Sequence, residues 1–171
     1  MTSLISIVLI FALSNVDLRL HSSVQTVPGY PFSVTLAVDQ LSNKRPFPVD
    51  FIGTIKTDII WDTDVFQYLG YNEGRNPWDE FNIEQIANGV SVEMVWHEPY
   101  VIPPLNTIEI ELATANVLGE HILSIGNATV VNASGTNILN DVHNIQVSVI
   151  PEPSMIFLFC AGFLCSKRRE N

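Results

Sequence analysis

From Val16 to Val149 the chain alternates apolar and polar residues with a period close to two, and nothing in it reads as a long helix. A period of two is that of a strand with one face buried, so the pattern restricts the chain to sheets. Val16–Leu20 and Phe32–Val38 alternate on either side of a Pro28-Gly29 turn. Phe51–Trp61 is a longer run that puts Ile55, Ile59 and Trp61 on one face. Asp62 to Phe66 reads as a short helical turn with Asp62 at its cap, and Phe66–Tyr71 as a short strand. The polar stretch Asn72–Phe81 reads as a loop. Beyond it, Gly89–His97, Thr107–Ala115, His121–Ile125 with Ala128–Val131, and Asn144–Val149 alternate again. Eight or nine strands with turn signals between them predict an all-β protein, a sandwich or jelly roll.

The two ends follow different rules. Leu4–Leu13 is an apolar run of signal-peptide length ending in Ala12-Leu13-Ser14, so residues 1–14 are expected to be an export signal, although its first residues carry no basic charge. At the other end Pro151, Glu152 and Pro153 precede an apolar stretch from Met155 to Cys165, followed by Lys167, Arg168 and Arg169. The two prolines hold a short extended neck, and the basic cluster favours the cytoplasmic side of a membrane. The 13 residues Ser154–Ser166 span only about 20 Å as a helix, against about 30 Å of hydrocarbon. The tail is therefore expected to be a signal with transient membrane association more than a durable anchor.

Between these ends lie 136 residues, 15–150, enough for one domain with its own core. They carry sixteen acidic and five basic residues, a net charge of −11 that disfavours nucleic acid and anionic lipid as ligands of the domain. Both cysteines, Cys160 and Cys165, fall in the tail, so the domain has neither disulfide nor thiolate chemistry.

No residue set in this span predicts catalysis or a cofactor. Asp62 and Asp64, with Asp58 nearby, lack the spacing of a calcium loop and read as turn and cap residues. The histidines, His21, His97, His121 and His143, form no metal-ligand spacing, and His97-Glu98 would point to opposite strand faces. Catalytic and metal residues are accordingly expected to be none. Among the aromatics, Trp61 and Trp96 follow the core-facing alternation, whereas Trp78 stands in a polar stretch. Trp78, Asp79 and Tyr100 are the candidate ligand contacts, an indole and a phenol for stacking on sugar rings beside a carboxylate for hydroxyls.

Two resemblances follow from these residues. The run Val149-Ile150-Pro151-Glu152-Pro153-Ser154, with its apolar stretch and basic end, resembles the PEP-CTERM sorting signal of exported bacterial proteins. That resemblance implies sorting and processing by an exosortase, a cell-envelope or extracellular-matrix destination, and bacteria that make extracellular polysaccharide and biofilm. Its apolar part is rich in Phe and Cys where the family commonly has Leu and Gly, and Glu170-Asn171 follow the basic cluster. The second resemblance rests on Phe32–Val38 with Ile59–Tyr68, and on Ile110–Ala115 with Gly119–Val130. These segments are similar to the cohesin-like domains, which implies a nine-stranded jelly roll related to carbohydrate-binding modules. The expected function is a non-catalytic surface or matrix binding and scaffolding module. A carbohydrate-binding module for extracellular polysaccharide and a cohesin-type protein-recognition module are the alternatives.

Overall fold

Alternation becomes two packed sheets in the computed structural model, which describes residues 16–22, 25–40, 52–72, 78–97 and 105–152. The expected signal peptide, Tyr100, Pro153 and the basic cluster at Lys167, Arg168 and Arg169 lie outside the described residues.

Eleven strands are present among the described residues: β1 (Val16–Ser22), β2 (Gln25–Thr26), β3 (Pro31–Gln40), β4 (Ile52–Ile60), β5 (Phe66–Asn72), β6 (Glu80–Ile86), β7 (Gly89–Val95), β8 (Leu105–Thr114), β9 (Gly119–Asn132), β10 (Leu139–His143) and β11 (Ile145–Val149). One sheet has the order β10-β1-β3-β8-β5 and the other β2-β11-β9-β4-β7-β6. The excess over the expected eight or nine comes from β2, β6 and β10, which lie outside the alternating runs. The chain changes sheet between β1 and β2, and again between β10 and β11, and these four strands supply the parallel pairings, β1 with β10 and β2 with β11.

The core lies between the sheets. Val34, Leu36, Ile110 and Leu112 face it from one side, Ile55, Ile59, Val92 and Leu123 from the other, and all are fully buried. Burying each such side chain contributes about 1.5–3 kcal/mol, and with no cysteine among the described residues this term carries the fold. Phe66 anchors one end of the core, tilted against Phe32 at 5.7 Å and meeting His121 edge-on at 5.8 Å. The Asp62 turn forms as expected: Phe66 N–H donates to Asp62 O at 2.9 Å, and Asp64 N–H donates to Asp62 Oδ1 at 2.9 Å.

Three strands differ from the sequence expectation. β6 begins at Glu80, where the polar stretch ends, and β2 and β10 lie between the alternating runs. All three are edge strands. Phe81 and Ile83 of β6 are only half-buried, so the core imposes a weaker alternation on them than on β7.

The single stretch His121–Val131 is one strand, β9, interrupted at Asn127. Asn127 has φ 45°, the left-handed conformation that Asn tolerates, where the register against β4 shifts between Lys56 and Asp58. Its side-chain amide then donates to Asp58 Oδ2.

Candidate binding surface

Strand alternation fixes what each sheet shows to solvent. On the six-stranded sheet the outward residues align in rows across the ladder. Glu80, Val95 and Thr54 form one row and Asn82, Glu93 and Lys56 the next. Glu84, Ser91 and Asp58 follow, and then Ile86, Gly89 and Ile60. Lys56 Nζ meets Glu93 Oε2 at 3.5 Å, which leaves Glu80, Glu84 and Asp58 to give the face its negative charge. Further along β9, Ile122 is 61% exposed on the same outward side as Glu120 and Ser124. An isoleucine so exposed on a strand, with Glu120, Ser124 and the cross-strand Gln146 beside it, is the kind of residue an interface covers.

The residues singled out from sequence sit at one end of this face. Trp78 leads into β6 and is half-buried, packed on the core and edge-on to Trp96 with ring centroids 5.5 Å apart. Its indole thus has a packing role that its polar sequence context did not reveal; the detectable signal was Trp96, which continues the alternation of Val92 and Met94. Asp79 is engaged by the backbone: its N–H donates to Val95 O at 3.1 Å, and His97 N–H donates to its Oδ2 at 2.6 Å. His97 Nε2 lies 3.0 Å from Glu80 Oε1, and that bond raises the imidazole above its usual value of 6.5. The structure therefore brings Trp78 and Asp79 together with Trp96, Glu80 and His97; Tyr100 falls outside the described residues.

A second feature escaped the sequence reading. Between the edge strands β5 and β6 the sandwich opens into a cleft of about 550 Å³. Trp61 and Tyr68 stack at 6.4 Å on its wall, with Thr63, Gln67 and Gln85 as polar lining. Trp61 is 5% exposed, the packing role expected of it. Burial, then the neighbouring Tyr71, pushes the Tyr68 phenol above its ordinary pKa of 10.0. The cleft joins residues from β5, β6, β7, the end of β8 and the turn before β5, a combination only the tertiary fold creates.

Asp62 is committed to its turn and Asp58 to Asn127. Among the described residues no group of three or more His, Cys, Asp or Glu is placed to hold a metal ion.

Comparison with known proteins settles the architecture. No family model and no curated protein matches the sequence. A cohesin module from a Clostridium perfringens family 33 glycoside hydrolase is similar in structure, with a TM-score of 0.68 at 10% identity, over 81% of this chain and 99% of that one. A non-cellulosomal cohesin from Archaeoglobus fulgidus matches at TM-score 0.66 and 10% identity, covering 84% and 97%. The chain has the cohesin fold. The sixth cohesin of scaffoldin B from Acetivibrio cellulolyticus, determined in complex with a dockerin, matches at TM-score 0.65 and 16% identity, covering 80% and 100%. These likenesses confirm the jelly-roll sandwich expected from the two strand segments.

Proposed function

We propose that the protein is an exported, non-catalytic protein-recognition module that presents the outward face of β9-β4-β7-β6 to a partner. The observation that carries this reading is Ile122, 61% exposed in mid-strand on a sheet face whose charge is predominantly acidic. A hydrophobic contact on an acidic face fits a protein partner with a complementary basic rim. The cohesin fold supports the reading, since a similar cohesin was determined bound to a dockerin. The partner here is identified only by its chemistry.

The ends complete the proposal. Residues 1–14 serve as the export signal, 15–150 as the binding domain, and 151–171 as a PEP-CTERM-like sorting signal read by an exosortase at Pro151, Glu152 and Pro153. The module then resides at the cell envelope, cell surface or extracellular matrix. The mass of the mature protein tests this half of the reading: a C-terminus within or before the Pro-Glu-Pro neck supports processing, and one at Asn171 contradicts it. Capture of exported proteins tests the other half. Wild-type domain should retain a partner that an Ile122→Glu domain of unchanged melting temperature does not.

The cleft favours a second reading, a carbohydrate ligand held by aromatic and amide groups, with Tyr68, Gln67 and Gln85 as its contacts. A glycan array separates the two sugar-site candidates, since only the variant that removes the true contact, Tyr68→Ala or Trp78→Ala, abolishes a glycan signal. Absence of any signal contradicts the carbohydrate reading altogether.

A further inference from the structure

The sandwich has two unlike poles. Val16 pairs with Leu139 at one, and β10 and then β11 carry the chain to the other, where Val149 pairs with Gly119 and with Thr26. Ile150 N–H donates to Thr26 O at 2.9 Å, so the chain leaves toward its C-terminal tail from this second pole.

Around that exit the surface carries three exposed apolar side chains. Tyr30 is 58% exposed, Leu118 54% and Val117 39%, and none of them lies on a strand. The Tyr30 turn is strapped to the end of β8, because Gly29 N–H donates to Thr114 O at 3.0 Å and Thr114 Oγ1 donates to Val27 O at 2.9 Å. From that same strand end the chain runs into Val117 and Leu118. At the opposite pole the exposed described residues include Asp79, Glu80, His97, Asn140 and the stretch from Ala133 to Asn137, all polar or small.

Covalent geometry decides what lies against the apolar pole. Only Pro153 and Ser154 separate Glu152 from Met155, the first residue of the apolar stretch. Three residue steps reach at most about 10 Å even when fully extended. Where Met155 enters lipid, the pole stands within that distance of the headgroups, and Tyr30, Val117 and Leu118 come to the interface. Tyrosine is suited to that layer, with its ring toward the hydrocarbon and its hydroxyl in water.

We propose that Tyr30, Val117 and Leu118 form a lipid-facing foot that seats the domain on a bilayer while the tail is inserted. The proposal rests on the reading of residues 151–171 as a membrane-directed tail. The foot holds the strands upright, so the opposite pole stands roughly 40 Å from the membrane and both sheet faces open sideways to partners. Glu120 and Glu152 at this pole, with Asp62 and Asp64 on the turn that Ala115 N–H bonds through Val65 O, make a neutral bilayer the better surface than an anionic one.

The test uses the full chain with Cys160→Ser and Cys165→Ser, so that one introduced thiol takes a polarity-sensitive fluorophore. Labels go at Leu118→Cys, at Val117→Cys as an independent position, and at Ala133→Cys on the far pole. On phosphatidylcholine vesicles the chain should float with the lipid. The labels at 117 and 118 should shift to the blue and be quenched by spin-labelled lipid, and the label at 133 should do neither. A chain that does not float with the vesicles overturns the tail reading and the foot with it. A chain that floats while the labels at 117 and 118 behave like the one at 133 overturns the foot alone. A blue shift that needs no lipid and grows with protein concentration assigns the patch to a second copy and likewise overturns it.

Discussion

Asp17 and His143 meet across the parallel β1–β10 pair, with the carboxylate Oδ2, on a side chain only 6% exposed, 3.1 Å from the imidazole Nε2. The second oxygen, Oδ1, accepts from Asn140 Nδ2 at 3.1 Å, so one buried carboxylate ties two residues of an edge strand to β1. Asp17→Ala is expected to cost about 1–3 kcal/mol, since it strands both partners and loosens β10. Urea unfolding reads this as a lower midpoint, and an unchanged midpoint would mean that the clamp adds nothing to backbone pairing.

His97 supplies the pH-dependent element. Its bond to Glu80 comes first among the causes that raise its pKa, with the charges of Glu80 and Asp79 adding and desolvation opposing. A folded value above the unfolded one means that the stabilising contact is fully present below about 6.5. It is lost as the pH rises through the folded value. An NMR titration should place the His97 midpoint above 6.5, and Glu80→Gln should lower it. A midpoint that ignores Glu80→Gln contradicts the pairing.

Gly89 is the tightest backbone approach among the described glycines, for a Cβ there would fall onto the Ile59 carbonyl of the neighbouring strand. No rotamer relieves a clash with backbone. Gly89→Ala should therefore destabilise the domain by about 2–3 kcal/mol. Gly29, where the space is open and φ is +78°, should respond only through that strained φ. Thermal melts of the two variants compare a packing effect with a conformational one.

Trp78 separates packing from ligand contact. Its half-buried ring, edge-on to Trp96, predicts that Trp78→Ala loses about 1–3 kcal/mol of stability whatever the ligand. Unchanged stability with lost glycan binding would restore the indole to the role that its sequence context implied.

The contrast between β7 and β6 explains how much of this was legible in the sequence. Val90, Val92 and Met94 are fully buried, so their alternation had to be strict and was readable. On β6, Glu84 and Gln85 are both exposed on opposite faces of an edge strand, and the period disappears where one face is incompletely covered. In β10 Leu139 and Val142 are separated by two polar residues, and the strand owes its place to parallel pairing with β1. Pairing partners more than a hundred residues apart leave no local trace, which is why the two changes of sheet were not foreseen. The candidate surface was hidden in the same way. Ile122 was not singled out, because in His121–Ile125 apolar residues fall on both faces and only the ladder shows which one is outward, and the Trp61–Tyr68 cleft exists only once β5 and β6 lie on facing sheet edges.

Partner binding by paired face variants tests the recognition surface most directly. Glu84→Lys with Ile122→Glu alters the outward face of β9-β4-β7-β6, and Glu111→Lys alters the exposed side of the other sheet without touching it. The exported partner captured by the wild-type domain is then titrated against each variant, after melting curves confirm that all are folded. The account predicts that the first variant loses at least about tenfold in affinity, some 1.4 kcal/mol, and that Glu111→Lys binds as wild type. Equal affinity of the wild type and the Glu84→Lys/Ile122→Glu domain, or loss confined to Glu111→Lys, would contradict it.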